Sequence, residues 1–242
     1  MIDGQFESLF VLSSAMNTRF GIFKADARFE QTLQTCESIQ QYAPGSKIVI
    51  LESGAASPNE EQSEKLSKYN VTLVDYTEHP DVVKLSKLES HDVVKNCVET
   101  LVFADFYSRL FTSKQQGLKR IFKLSARYVL NGQFDHEYHM AQAGKIAIKG
   151  PYVSQFPANL TGGARNQFMA RLYSFDAELL PYIMCVYENS LLDMIDKINN
   201  KGYIDIEHCL FKYIKGHLVT FAPDNPIGVE GTIAPSGNKV VE

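Results

Sequence analysis

Arg120-Ile-Phe-Lys-Leu-Ser-Ala-Arg-Tyr-Val-Leu-Asn-Gly-Gln-Phe-Asp135 is the stretch on which the fold turns. Its apolar residues Ile121, Phe122 and Leu124 predict a short buried strand that runs directly into Ser125, Arg127 and Tyr128, with Lys123 on the way. In an open α/β sheet, ligands bind beyond the carboxyl ends of the strands. A strand ending in Lys, Ser and Arg therefore reads as a seat for an anion. Arg offers phosphate or carboxylate a bidentate fork, and Lys adds a point charge. The plainer alternative is a strand end with solvated basic residues.

Upstream of this strand the chain alternates. Residues 8–14 read as a buried strand, and Phe29, Leu33, Cys36 and Ile39 recur at helical spacing until Pro44-Gly45. A second strand over 47–51 ends at Glu52. Ser57-Pro58-Asn59-Glu60 predicts a helix with Ser57 as N-cap and Pro58 at its first position, running to about Tyr69. Residues 71–76 form a third strand, and Val94, Cys97, Leu101, Phe106 and Leu110 outline a long helix from Asp92. The order β-α-β-α-β-α-β implies parallel strands with helices on both faces. Downstream, strands are expected over 145–149 and 167–173, a helix over 177–200, a shorter helix over 206–213 with Asp205 as N-cap, and a last strand over 218–221. With no linker between the halves, they are expected to share one sheet. The fold class is α/β, a mixed, mostly parallel sheet flanked by helices.

Bulk properties narrow the function. The 242 residues are enough for one large core, and 45% apolar with 21% charged residues is ordinary for a globular protein. A net charge of −4 argues against nucleic acid as partner. Cys36, Cys97, Cys185 and Cys209 form no C-x-x-C pair and fall in apolar helical patterns, so buried reduced thiols are expected. The opening residues carry no basic region, and Leu9–Leu12 is too short to span a membrane, so a cytoplasmic chain without a transmembrane segment is expected.

The sequence contains no G-x-G-x-x-G after the first strand, no G-x-x-x-x-G-K-[ST], no G-x-S-x-G and no H-E-x-x-H. Three constellations remain. Thr18 and Arg19 follow strand one, Glu52 ends strand two, and Lys123, Ser125 and Arg127 end strand four. A carboxylate there suits a ribose hydroxyl or base N–H, and the basic group suits a diphosphate. In the second, Tyr203-Ile-Asp205-Ile-Glu207-His208, the carboxylates are either helix-terminal groups or a cap and a general base; Asp205 is favoured as cap and Glu207 as base. The third, Asp135, Glu137 and His139, would share a face if extended and could then ligate a hard metal; a polar exposed loop is the preferred reading. Tyr152, Phe156 and Tyr173 are candidate exposed aromatics for stacking on sugar rings, with core or loop packing as the plainer alternative.

The order of elements resembles the GT-A family of nucleotide-sugar glycosyltransferases. The residues that carry the resemblance lie in 9–14, 47–52, 121–128, 169–175 and 205–212. Phe-Lys-Leu-Ser-Ala-Arg-Tyr also looks like the Lys-x-Ser-Gly-Arg-Tyr stretch of small glycosyltransferase-like proteins from viral and bacterial surface-polysaccharide gene sets. The resemblance implies a single GT-A-like domain over 1–242, with 1–130 holding a nucleotide-sugar donor and 131–242 a glycan or small-molecule acceptor. Thr18, Arg19 and Glu52 would hold the nucleotide; Lys123, Ser125, Arg127 and Arg171 would serve the diphosphate; Glu207, with Asp205, would serve catalysis. The family's Asp-x-Asp metal motif is absent, and Lys123-Leu-Ser125-Ala-Arg127 stands in its place. No cofactor is therefore expected, Mn or Mg is not indicated, and basic side chains would neutralise the leaving diphosphate. The alternatives are an inactive nucleotide- or glycan-binding relative, or a sugar nucleotidyltransferase; the latter usually has a Gly-rich loop after strand one, which residues 13–17 lack.

Overall fold

The computed structural model describes residues 2, 4–18, 23–88, 91–200, 202–221, 226–232 and 237–242, with 91 and 92 described by their backbone. Strands β1 (Ser8–Ser14), β2 (Lys47–Glu52), β3 (Val71–Asp75), β4 (Arg120–Ser125), β6 (Ile146–Val153) and β7 (Asn166–Asp176) form one sheet in the order β3-β2-β1-β4-β7-β6. The first four are parallel, whereas β7 runs antiparallel to both β4 and β6. The expected mixed, mostly parallel sheet shared by both halves of the chain is what forms.

Side-chain alternation along each strand divides the core into two layers. Leu9, Val11, Val49, Leu51 and Ile121 face helices α4 (His91–Ser113), α6 (Leu180–Asn199) and α7 (Ile206–Tyr213). Phe10, Leu12, Ile48, Ile50, Phe122 and Leu124 face α1 (Ala25–Tyr42) and a second sheet of β5 (Tyr128–Leu130), β8 (Val229–Thr232) and β9 (Lys239–Val241). Phe10 and Phe122 stack across β1 and β4 with ring centroids 4.3 Å apart. No helix among the described residues is long and apolar enough to cross a membrane.

Several expectations are corrected. Helix α2 (Glu60–Ser67) starts after Asn59, which closes a capping box with Gln62, while the Ser57 hydroxyl is 2.8 Å from that of Thr77. Helix α3 (Pro80–Leu85) was not expected. Residues 218–221 make no strand: Gly216–Leu218 coils as a 3-10 turn and the chain then meets β6 only at a single bridge, Ile146 to Val219. Strands β8 and β9 escaped notice because their Gly-rich segment has no apolar period. Gly228 (φ +77°) passes so close to Phe134 that a Cβ would lie 2.1 Å from the Phe134 nitrogen. Three cysteines are buried as expected, but Cys185 is exposed on α6.

Arg120 joins the two halves. It is 1% exposed at the start of β4 and donates from Nε to Ser174 Oγ (3.0 Å), from Nη1 to the carbonyls of Gln142 (2.7 Å) and Lys145 (3.0 Å), and from Nη2 to the carbonyl of Ser174 (3.2 Å). Burial lowers its pKa to about 10, still well above neutrality. Arg120→Met would remove a donor from the carbonyls of Gln142, Lys145 and Ser174, of which Lys145 keeps the Asp176 N–H, and urea unfolding is expected to show a loss of about 3 kcal/mol. A loss under about 0.5 kcal/mol would mean those carbonyls find other donors.

Candidate functional site

The strand ends of β1, β2 and β4 meet along one edge of the sheet, and β7 enters from the opposite direction. Leu172 of β7 lies opposite Leu124, which sets Arg171 next to the end of β4. The antiparallel strand thus delivers a second arginine to the edge where Arg127 emerges.

The wall below this edge is built around Glu52. Its carboxylate is fully buried and accepts from Ser14 Oγ (2.7 Å), the Met16 N–H (3.1 Å) and the Gly54 N–H (2.8 Å). Burial raises its pKa above the ordinary carboxylate range; the Ser14, Met16 and Gly54 bonds oppose this and Asp75 adds to it. A Cβ at Gly54 would lie 2.5 Å from Glu52 Oε1, so this close approach needs glycine. Asn17 then ties the turn to the chain after β2, accepting from the Ala55 N–H (2.7 Å) and donating to the Ser57 carbonyl (3.0 Å). Glu52, expected at a ribose, spends its oxygens on holding this turn. Thr18 follows it and is half-buried; Arg19 lies outside the described residues.

Lys123 is likewise committed. It is 1% exposed, and its Nζ lies 3.0 Å from Ser125 Oγ, 2.8 Å from the Ala170 carbonyl and 2.8 Å from Glu99 Oε1 on α4. Two of its three N–H donors are spent on Ser125 and Ala170, and its charge is paired with Glu99, so it is poorly placed to hold a diphosphate. Burial pushes the Glu99 pKa up, but Lys123, the Ser13 hydroxyl and Arg127 outweigh it and hold it below the usual range. The expected phosphate ligand is therefore a structural cation. Ser125 keeps its place at the strand end, half-buried, with its hydroxyl accepting from Lys123.

The arginines carry the available positive charge. Arg127 lies with its guanidinium carbon 5.3 Å from the Tyr128 ring centroid, and its buried Nε has no hydrogen-bond partner among the described residues. Arg28, in the first turns of α1, was missed by sequence reasoning. Its pKa is lowered by burial and then by the positive charge of Arg127, with Tyr128 and Glu52 acting the other way. Two guanidinium groups close enough to repel favour an anion beside them. The only signal for Arg28 was its position one turn into the helix after β1. Arg171 donates to Tyr128 Oη (3.3 Å) and pairs with Glu242, at a side-chain exposure of 17%.

Glu207 faces this charge from the first turn of α7. It is half-buried, and its carboxylate makes no hydrogen bond to a described residue. Burial, then the negative charge of Asp205, raises its pKa to about 7, against the pull of Arg171 and Lys123. Asp205 is not available as a second catalytic carboxylate. Its Oδ1 accepts from the His208 N–H (3.0 Å), capping α7, and lies 2.6 Å from His208 Nδ1, while Oδ2 accepts from Tyr203 Oη (3.0 Å).

Other candidates fall elsewhere. The segment with Asp135, Glu137 and His139 is not extended but forms the short helix α5 (His136–Met140), with Asp135 as its cap and His139 buried 2.7 Å from Ser174 Oγ. Their shared face is lost, and among the described residues no group of three or more His, Cys, Asp or Glu is arranged to hold a metal ion. Tyr173, expected as an exposed sugar platform, is fully buried, with its hydroxyl 2.5 Å from that of Tyr187. Phe156 is exposed, and its ring lies 4.5 Å from that of Tyr203. Tyr152 is half-buried near the end of β6.

No protein-family model matches the chain, and no curated protein matches it in sequence. Among solved structures it is similar to the galactosyltransferase LgtC in complex with donor and acceptor sugar analogs, with a TM-score of 0.58 and 10% identity. The match covers 96% of this chain and 88% of that one. The likeness, with the sheet order above, shows a GT-A-type glycosyltransferase fold.

The Arg171–Glu242 pair yields a direct test of the anion site. Glu242 is an internal carboxylate on one of its arginines, so it competes with any external anion. Glu242→Gln is expected to tighten inorganic pyrophosphate binding about 3- to 10-fold by calorimetry, a gain of about 1 kcal/mol. Unchanged or weaker binding would remove Arg171 from the anion site.

Proposed function

We propose that the protein is a glycosyltransferase that moves a sugar from a nucleoside diphosphate donor to a hydroxyl of a glycan or small acceptor, without a divalent metal. The observation that carries this reading is the meeting of Arg28, Arg127 and Arg171 with a half-buried Glu207 raised to about 7 at one sheet edge. The GT-A-type fold supports it. Residues 1–130 supply most of the donor site and 131–242 the acceptor side, in a cytoplasmic chain serving polysaccharide assembly.

In this reading Thr18 and Arg19 border the nucleotide, and Glu52 acts at one remove by shaping the turn before them. The diphosphate lies between the arginines, which stabilise the charge that grows on it as the bond to the anomeric carbon breaks. The acceptor oxygen forms the new bond to that carbon, its proton passes to Glu207, and the breaking bond's electrons leave with the diphosphate. A single displacement of this kind inverts the anomeric centre. Lys123, paired with Glu99, acts at one remove by fixing the strand ends, and Ser125 contributes a hydroxyl at the rim.

A second reading, a nucleotide-binding relative without turnover, is favoured by one feature: Glu242 already pairs with Arg171. Calorimetry with UDP, GDP and CMP separates the possibilities. At least one nucleotide is expected to bind, and Arg127→Ala to weaken it by tenfold or more, about 1.4 kcal/mol. Binding unchanged in Arg127→Ala would sink the diphosphate seat, and tight binding with neither transfer nor donor hydrolysis would support the second reading.

Glu207 predicts the pH dependence. As a base it must be ionised, so the transfer rate should rise about tenfold per pH unit below about 7 and level off above it. Glu207→Gln should reduce transfer by about 10²- to 10⁴-fold and flatten that limb while donor affinity holds. Stability moves the opposite way. A carboxyl whose folded pKa is raised holds its proton longer in the native state, so its contribution falls as pH rises from its unfolded value through about 7. Glu207→Gln should therefore gain more thermal stability at pH 8 than at pH 5.

A further inference from the structure

Ser154, His208 and Asp205 form a continuous hydrogen-bonded chain outside the arginine cluster. Asp205 Oδ1 lies 2.6 Å from His208 Nδ1, and His208 Nε2 lies 2.7 Å from Ser154 Oγ. The residues come from different elements: Ser154 just beyond β6, Asp205 and His208 from the cap and first turn of α7. Neither G-x-S-x-G nor any short spacing announces them, because Ser154 and His208 are 54 positions apart. We propose that Ser154 is a nucleophile activated by His208 and oriented by Asp205, making this loop a second site that hydrolyses carboxylic esters with a small or apolar acyl group.

The proton positions follow from the partners. Asp205 Oδ1 already accepts the His208 backbone N–H, and Oδ2 accepts the Tyr203 hydroxyl, so the carboxylate acts as an acceptor throughout. That places a hydrogen on His208 Nδ1 and leaves Nε2 with a lone pair. The Ser154 Oγ accepts from the Phe156 N–H (3.0 Å) and could also donate to the Phe156 carbonyl (3.0 Å), but its shorter contact, 2.7 Å, is with Nε2. Nucleophile to base and base to orienter are both within hydrogen-bond reach, which is how such a constellation is recognised on unrelated folds.

The surroundings hold the base and leave the nucleophile reachable. His208 is fully buried and Asp205 nearly so, whereas Ser154 is half-buried. The Phe156 ring lies 6.1 Å from the imidazole and packs on Tyr203, which in turn holds Asp205. Val153 (80% exposed), Phe156 (40%) and Leu160 (42%) are exposed apolar residues of the same chain segment, available to an acyl group. The N–H of Gln155, next after the nucleophile, makes no hydrogen bond to a described residue and is the donor for the carbonyl oxygen as it gains charge.

The reaction balances with water alone. Ser154 Oγ bonds to the ester carbon and its proton passes to His208 Nε2. The alkoxide then leaves with that proton, and the acyl group stays on Ser154. Water, deprotonated by His208, attacks the acyl carbon and releases a carboxylic acid, returning the proton to Ser154. None of these steps uses Glu207 or the arginines, so this activity stands or falls separately from sugar transfer.

An alkyl fluorophosphonate and p-nitrophenyl acetate test it on the whole chain. The fluorophosphonate is expected to add one phosphonate per chain, found by mass spectrometry on the peptide containing Ser154. Saturable release of p-nitrophenolate should accompany it. Measurements in a Cys185→Ser background remove the exposed thiol, itself able to attack such esters. Ser154→Ala, at a surface loop and checked for fold by circular dichroism, should lose both signals, and Asp205→Asn should slow release by about 10²-fold or more. No adduct at Ser154, or ester release by Ser154→Ala at the unsubstituted rate, would overturn the proposal and leave the chain as a strut between the β6–β7 loop and α7.

Discussion

The buried ammonium of Lys123 holds the working edge of this protein together. It joins β4 to β7 through the Ala170 carbonyl, to α4 through Glu99, and to its own strand end through Ser125. A charge this deep is tolerated only when hydrogen bonds and an opposite charge lie beside it. Once those conditions are met, three elements have a fixed separation at the place where the arginines emerge. The Arg120 clamp does similar work at the other end of the same strand, on the carbonyls of Gln142, Lys145 and Ser174. The junction between the halves is thus polar at both ends and apolar between them, where Ile121 and Phe175 pair across it.

That fixed geometry explains how the cationic edge divides its labour. Lys123 and Glu99 neutralise one another, so their net field on a ligand is small. Arg28, whose pKa is lowered by burial and then by the positive charge of Arg127, would be relieved by an anion. Arg171 is partly satisfied by Glu242. Glu207, close to both kinds of charge, rises to about 7 because burial and Asp205 outweigh the cations. One edge therefore offers a receptive pair of cations and a carboxylate that changes charge near neutral pH.

Much of the architecture was legible along the chain. Strands β1, β2 and β4 declared themselves as short apolar runs, and the helix of α7 with its Asp205 cap was placed to the residue. The errors have local causes. Asn59 outcompetes Ser57 as a cap because Gln62 returns its hydrogen bond. Tyr173 looked available because alternation marks a strand but not what covers each face; here α6 brings Tyr187 onto it. At the site, Arg127 and Glu207 were recognisable by type and position. Glu52 and Lys123 had the right chemistry, but their hydrogen-bonding capacity is spent on the fold, and no linear pattern records how much capacity remains. Arg28, Glu99 and Glu242 were invisible because each owes its place to a partner far along the chain.

By itself the sequence determined the periodicities, and so the strands, helices and the edge where charged strand ends collect, because these depend on neighbours within a few residues. Only the tertiary structure decided which charges are consumed and which remain, since that depends on contacts between β4, β7, α4 and α7. The same holds for the Ser154–His208–Asp205 chain, whose members become neighbours only when α7 packs against β7 and the loop beyond β6. Chemistry at a point in space is set by the groups that converge there, and convergence is a property of packing rather than of local order.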